Sequence, residues 1–484
     1  MVLRRLLRMA FAQRRAAVIA LTAQIIQIGF SLVLPLFLKS AVDNGLESGD
    51  YAMIVLAAAE TLGVSAVRSF VWYFVTYYYR VMATAVGFEL RDRLYEKLQR
   101  NRVAFHLKSH SGDLFALTAT DVQAIEDFLN NGLNQAMNIL VLSVSLFVVL
   151  LSMDFRLTLY ALPSVIAVAV LAVFYTPLAR ERSRRIQNLY GQVAATLQEN
   201  LTGMRVVKAF SGEAREIVKF REKIDDLYNA SMRQTSLNAY TFPTMTFITA
   251  LGITSVLWFG GQDVIEGRLS LGSLIAFITY LTMLINPIRS LGAAINVISG
   301  AMAGGERIYR VLDGKDEIEP TREAAGKPPM PTVTGAIDVE GVSFSYHHDQ
   351  PVLKDVNLIV NPGDTVGIVG LTGAGKTTLM MLLARFYDPD KGKVRIDGYD
   401  IRTIQIDTLR QQIGIVFQDP FLFSATITDN IRFGRPEASL EEVYAAATAA
   451  CLHDFVLTLP EGYDTQLGER GITLSGGQRQ RLSL

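Results

Sequence analysis

The stretch Val366–Thr378, VGIVGLTGAGKTT, decides the fold class of the C-terminal part of this chain. Val366–Val369 is a short apolar run ended by glycine and reads as a buried strand. Gly370, Leu371, Thr372, Gly373, Ala374, Gly375, Lys376 and Thr377 then fit G-x-x-x-x-G-K-T, with Thr378 following. The three glycines allow a tight turn in which backbone N–H groups and the start of the next helix surround phosphate oxygens. Lys376 reaches the β- and γ-phosphates, and the Thr377 hydroxyl ligates Mg²⁺. Around this motif, AIDVEGVSFSY (336–346), VNLIV (356–360), KVRIDG (393–398) and IGIVFQD (413–419) are short β-rich runs ended by Gly, Pro or Asp. Together they predict an α/β, P-loop NTPase-like domain over 335–484.

A second motif, LSGGQ, occupies Leu474, Ser475, Gly476, Gly477 and Gln478. Ser475 is suited to cap a helix N-terminus, and the two glycines let an anionic group approach exposed backbone amides. On the other side of the domain, the polar, Pro- and Gly-rich stretch 313–334 has no helical stripe and reads as a linker.

Residues 1–312 are a different kind of protein. Over the whole 484-residue chain, hydrophobic residues make up 50% and charged residues 19%, with a mean hydropathy of +0.27. That composition excludes a disordered protein. Lys+Arg 46 against Asp+Glu 46 removes the footprint of a dedicated nucleic-acid binder, and no nucleic-acid partner is expected. The one cysteine, Cys451, forbids an internal disulfide and reads as a small buried apolar side chain in a reduced compartment.

Six stretches are long and apolar enough to cross a bilayer: Ala16–Leu38, Ala52–Tyr79, Gly132–Met153, Arg156–Pro177, Phe242–Gly260 and Leu271 to about Val297. The first far exceeds a signal-peptide core. Arg4, Arg5, Arg8, Arg14 and Arg15, the long segment 80–131, and the segment 178–241 with Arg180, Arg182, Arg184 and Arg185 all fall on one side. The positive-inside rule places the N-terminus, both long loops and the α/β domain in the cytoplasm. Both loops carry helix-period apolar positions, Leu90, Leu94 and Leu98 among them, so the spanning helices are expected to continue beyond the membrane.

Glu60 and Arg68 interrupt the second span and read equally as a translocation path or a structural pairing. Trp72, Tyr73, Tyr77, Tyr78 and Tyr79 read as an interfacial aromatic belt. Asn286 and Pro287 sit in the sixth span, where proline removes a backbone donor. His106 and His110 have a spacing that would place both on one helix face, but without a third ligand they read as an ordinary polar loop. His347 and His348 read as part of a turn.

Taken together, these motifs resemble the ATP-binding-cassette (ABC) exporters, in particular half-transporters that fuse a six-helix membrane domain to a C-terminal nucleotide-binding domain. The resemblance rests on GLTGAGKTT as Walker A, on IVFQDPFLFSATITDNIRFG with Gln418 as the Q-loop glutamine, and on LGERGITLSGGQRQR around Glu469. FHLKSHSGDL and ENLTGMRVVKAFSGE look like the loops that bear coupling helices. It implies that Tyr346 stacks on adenine, that Thr377 and Gln418 hold Mg²⁺, and that ATP lies between the Walker A loop of one subunit and the LSGGQ of a second half-transporter. It also implies an ATPase-coupled, multi-pass protein of the plasma (inner) membrane if bacterial, exporting or flipping a lipid or an amphipathic, drug-like substrate as a homodimer or heterodimer.

The sequence departs from the family's pattern after LSGGQ. The Walker B aspartate, the catalytic glutamate and the switch histidine have no counterpart before Leu484, so the cassette is expected to be incomplete at its C-terminus. A fragment of an ordinary exporter is the favoured explanation. A non-hydrolysing, ATP-binding regulator or inactive partner subunit is the second, and a siderophore importer of exporter-like fold the third.

Overall fold

A computed structural model of the chain describes residues 2–314, 327–346, 350–468 and 474–484, apart from the side chains at 108, 285, 286, 288, 289 and 291–293. His347, His348, Glu469, the Asn286 side chain and most of the expected linker lie outside these residues. Contacts gather the chain into two compact units, Met1–Arg100 with Ser109–Asp316, and Asn101–Lys108 with Glu317–Leu484.

The first unit is helical. It comprises α1 (Val2–Ala12), α2 (Arg14–Ser40), α3 (Tyr51–Arg100), α5 (Ser111–Ala116), α6 (Val122–Asp127), α7 (Leu133–Met153), α8 (Phe155–Thr202), α9 (Met204–Ala209), α10 (Glu213–Ile265) and α11 (Leu271–Asp313). The short α4 (Val103–Lys108) groups with the second unit. Five helical stretches among the described residues are long and apolar enough to cross a membrane: 14–46, 51–100, 111–153, 155–202 and 213–265. The sixth expected span falls in α11, whose apolar described part is Leu271–Leu284. As the charge-interleaved apolar period of the loops implies, α3, α8 and α10 run far past their apolar stretches, to 50, 48 and 53 residues.

Small residues bring the helices of this unit together. Ala16, Ala17, Ala20 and Ala23 of α2 are buried against Val75, Tyr79, Met82, Ala83 and Val86 of α3. With lipid tails as apolar as the side chains, such close backbone approach is what drives helix association. A buried polar knot ties three helices. Tyr79 Oη donates to Gln24 Oε1 at 2.5 Å, and Gln24 Nε2 donates to the Asn134 backbone carbonyl at 2.9 Å and to its Oδ1 at 3.1 Å. Tyr79 is therefore not part of an interfacial belt: it is 1% exposed because its hydroxyl has partners inside the bundle, while Trp72, Tyr73 and Tyr77 face outward.

Elsewhere in the bundle, two carboxylates, Asp121 just before α6 and Glu126 within it, seat against glycines. The Asp121 carboxylate accepts two bonds from Arg307, at 2.8 and 2.5 Å, where Gly304 approaches its backbone. Glu126 Oε1 accepts from Arg91 Nη1 at 2.6 Å, directly over Gly87. π-helical turns at Leu117–Asp121 and Phe128–Gly132 flank α6. Glu60 is exposed and Arg68 half-buried, and no ion pair joins either to another described residue. His106 lies in α4 whereas His110 is the N-cap of α5, so a non-helical turn separates them and they share no helix face.

The second unit contains β1 (Ile337–Ser345), β2 (Pro351–Val360), α12 (Lys376–Leu383), β3 (Lys391–Ile396), β4 (Tyr399–Asp400), α13 (Ile406–Arg410), α14 (Ile427–Arg432), α15 (Leu440–Ala449), α16 (His453–Leu457) and α17 (Gly476–Ser483). Its sheet is antiparallel in the order β2-β1-β3-β4. Two separate cores result. One joins Val339, Val342 and Phe344 of β1 with Leu353, Leu379, Leu382, Val394 and Leu409. The other joins Leu422, Ile427, Val443, Val456, Leu474 and Leu482.

Three expectations are corrected here. Val366–Val369 is not a buried strand: it is irregular backbone, with Val366 47%, Ile368 38% and Val369 92% exposed. The run 413–417 is likewise irregular, with Ile415, Val416 and Phe417 exposed. Continuous apolar runs of this type form strands only when neighbours pair both edges and cover both faces. No described strand pairs with either. Cys451 is also exposed rather than buried. It stands in the left-handed region (φ 53°) just past α15, where Cys451 N–H donates to Thr448 O and Leu452 N–H to Ala447 O, a helix stop that turns its side chain outward.

Candidate nucleotide site

The glycine loop is built on β2 and α12. Gly373 and Gly375 take positive φ, 85° and 89°, and Gly370 lies at 159°. Gly375 is the N-cap of α12 and supplies no side chain to the first helical N–H groups, which leaves them open toward a ligand. Its own position is tightly enclosed: a Cβ there would stand 2.6 Å from Leu353 Cδ2 and 3.3 Å from the Val352 carbonyl. Strand β2 thus supports the loop from below. Lys376 Nζ donates to the carbonyls of Gly370 and Leu371, both at 2.8 Å, so the ammonium folds over the loop that it closes. Leu371, Thr372 and Ala374 are exposed on the rim, Thr377 is exposed at the second position of α12, and Thr378 is buried behind it.

Tyr346 sits at the end of β1, 38% exposed. Its hydroxyl shares a hydrogen bond of 3.1 Å with Thr378 Oγ1. Phe344 and Tyr387 stand edge-on to its ring at 5.0 and 5.2 Å. The part of the ring that stays exposed is open to a flat, apolar group. Burial, with Tyr346 beside it, pushes the Tyr387 hydroxyl above the ordinary tyrosine range, so it stays protonated. Sequence reasoning named Tyr346 and missed Tyr387, although an aromatic residue closely following the loop helix was the available signal. It also missed Arg385, which anchors the far end of α12: its side chain is 5% exposed, and it bonds Asp388 and the carbonyls of Ile401 and Ile404.

Gln418 lies on an exposed loop, and no described hydrogen bond links it to the glycine loop. Among the described residues, no cluster of three His, Cys, Asp or Glu side chains forms a protein-only metal cage. Thr377 and Gln418 offer neutral oxygen donors. That donor set suits a hard cation such as Mg²⁺ that takes most of its ligands from phosphate and water.

The second motif belongs to the other core. Ser475 is the N-cap of α17 in a complete capping box: Ser475 Oγ accepts from Gln478 N–H at 3.3 Å, and Gln478 Oε1 accepts from Ser475 N–H at 2.7 Å. Leu474 is buried beneath it, and Gly476 and Gly477 are exposed, so the first turn of α17 presents backbone to solvent.

Comparisons with known proteins match residues 17–288 to the ABC transporter transmembrane region and residues 353–484 to the ABC transporter domain. The chain is 32% identical to an ATP-dependent lipid A-core flippase of Syntrophus aciditrophicus, over 100% of this chain and 80% of that protein. It is 33% identical to a Bacillus subtilis protein whose name assigns it to multidrug export, over 95% of this chain and 80% of that one. A solved bacterial Atm1-family ABC exporter with ATP bound superposes with a TM-score of 0.77 at 28% identity, over 97% of this chain and 82% of that one. A helical bundle of span-length helices followed by a glycine loop on a small sheet, matched over its two halves to these regions, makes this chain a member of the ABC transporters, ATPase-coupled membrane proteins of the exporter and flippase type.

Proposed function

We propose that this chain is one half of a dimeric exporter that uses ATP to expel or flip a lipid or an amphipathic, drug-like molecule. The observation that carries the reading is the glycine loop itself, with open amides at the α12 N-terminus and Lys376 folded across it, in the same chain as five span-length helices. ATP is bound by residues 370–378, with adenine on Tyr346 and Mg²⁺ on Thr377 and Gln418. The exposed Gly476 and Gly477, under the Ser475 cap, receive the ATP held by the second half-transporter. Their place on a core separate from that of the glycine loop supports this division of labour. The grouping of α4 with the cassette unit supports a role for the first long loop in carrying cassette movement to the spans. The lipid and multidrug names of the relatives support the substrate class. The arginines that flank the first span support a cytoplasmic N-terminus and cassette, the membrane being the plasma (inner) membrane if the source is bacterial.

The first test is MgATP binding by the chain in detergent, which Lys376→Ala should weaken at least about tenfold, the scale of one lost charged hydrogen bond. Because hydrolysis also needs the Walker B aspartate and catalytic glutamate, transport is read with the chain extended by the corresponding C-terminal segment of the flippase relative, in vesicles carrying a fluorescent phospholipid or a lipophilic dye: ATP with Mg²⁺ should drive movement of one of them, and Lys376→Ala should abolish it. The mass in detergent should correspond to two chains of 53.4 kDa each. ATP binding unchanged in Lys376→Ala, or no ATP-driven movement by the extended protein, would refute the reading.

A further inference from the structure

The arginines at the start of the chain divide into two groups. Arg5 fastens α1 to the end of α11: its Nη1 donates to Asp313 Oδ2 at 2.6 Å, and its guanidinium stands 4.8 Å from the centre of the Tyr309 ring. Arg4, Arg8, Arg14 and Arg15 are exposed, and no described carboxylate pairs with any of them. The first acidic residue in the sequence is Asp43, so no neighbour in the chain neutralises them.

Helix α1 also has two apolar faces. Val2, Leu6, Met9 and Ala10 pack into the bundle core. Leu3, Leu7 and Phe11 recur every four residues on a different face, with Leu3 37% and Phe11 44% exposed. Arg4 and Arg8 each follow a residue of this stripe, about 100° round the helix. They edge it on the side away from the buried residues. The helix leads directly into the span-length stretch that begins at Arg14, so the stripe stands where a bilayer's interface begins.

We propose that this face docks anionic phospholipid headgroups of the adjoining leaflet. Leu3, Leu7 and Phe11 enter the acyl boundary, and the Arg4 and Arg8 guanidinium groups that edge them take the headgroup phosphates. A zwitterionic headgroup brings its own ammonium to the same phosphate, whereas a net-negative one leaves it for arginine. Each basic residue beside an anionic surface strengthens binding about fivefold at low salt, and the gain is screened as salt rises.

The experiment uses the full chain in a non-ionic detergent, with phosphatidylglycerol or phosphatidylcholine added at equal mole fraction. It reads the thermal midpoint and the lipid retained in native mass spectrometry. Phosphatidylglycerol should be retained and raise the midpoint more than phosphatidylcholine does, and the difference should shrink at high salt. Arg4→Gln with Arg8→Gln should remove that difference and leave the midpoint in phosphatidylcholine unchanged, while Arg4→Lys with Arg8→Lys should keep it. Arg5→Gln is the folding control, and should lower the midpoint in both lipids alike while retaining phosphatidylglycerol. Equal responses of the unaltered protein to the two lipids, or the full phosphatidylglycerol preference in the Arg4→Gln, Arg8→Gln variant, would overturn the proposal.

Discussion

Replacing Gly375 and Gly373 by alanine, one at a time, separates the two demands that the glycine loop places on its residues. Both positions have φ near +85° to +89°, so an alanine at either costs about 1–2 kcal/mol in backbone strain. The surroundings differ. At Gly373 a Cβ meets nothing within 4 Å, whereas at Gly375 it stands 2.6 Å from Leu353 Cδ2 and 3.3 Å from the rigid Val352 carbonyl. Leu353 is 6% exposed and belongs to the sheet core, so its side chain has little room to withdraw. Forcing an extra methyl into such packing adds about 1–3 kcal/mol. Gly375→Ala should then destabilise the cassette by about 2–5 kcal/mol and Gly373→Ala by about 1–2 kcal/mol, the sums of these terms. For a unit of this size each kcal/mol lowers the thermal midpoint by about 2–4 °C. Intrinsic fluorescence melts of the two variants, run with the unaltered protein, should show the Gly375→Ala shift at about twice the other. Equal shifts would show that Leu353 yields freely and that β2 does not support the loop.

Three other outcomes follow from the same kind of geometry. Gly87→Ala places a Cβ on the Glu126 carboxylate and breaks its bond to Arg91, which should lower bundle stability in detergent by about 1–3 kcal/mol; adding Glu126→Ala should restore part of the loss, and a neutral single variant would refute the contact. Ser475→Ala removes half of the α17 capping box and should cost about 1 kcal/mol in the thermal melt, with Ser475→Asp largely keeping the cap. The Asp397 carboxylate accepts the Thr334 N–H and hydroxyl and the N–H groups of Gly335 and Ala336, and the Thr334 N–H above all holds its pKa below the ordinary aspartate range. A lowered folded pKa stabilises fully above the ordinary value of about 3.9 and is lost as pH falls through the folded value, so the stability gap between the protein and Asp397→Asn should close in that acid window.

Period and turn chemistry made most of this architecture legible in the sequence. The long apolar stretches found the spanning helices because a hydrocarbon core admits little else. The continuation of α3 beyond its span was visible in the period of Leu90, Leu94 and Leu98, the first two of which are buried in the bundle core. The glycine loop was legible because its φ values exclude other residues. Burial was less so. Tyr79 looked like its aromatic neighbours until Gln24, 55 positions away in sequence, supplied a partner for its hydroxyl. Cys451 looked buried by residue type, yet its position past a helix end, which no local composition signals, turned it outward. Tyr387 and Arg385 act only through residues brought to them by the fold.

The two overturned strands show why strand assignment differs in kind from loop assignment. A glycine loop is specified by its own backbone, so 370–375 adopts its positive-φ turns wherever one side supports it, and β2 does so through Leu353 and Val352. A strand of the fully apolar type is specified by neighbours on both edges. The antiparallel layer β2-β1-β3-β4 satisfies itself, because β1 is paired on both sides within its own residues. Val366–Val369 and 413–417 have no such pairing among the described residues, and their apolar side chains stand open. The glycine loop therefore rests on the self-paired layer of this unit, where Leu353 and Val352 of β2 enclose Gly375.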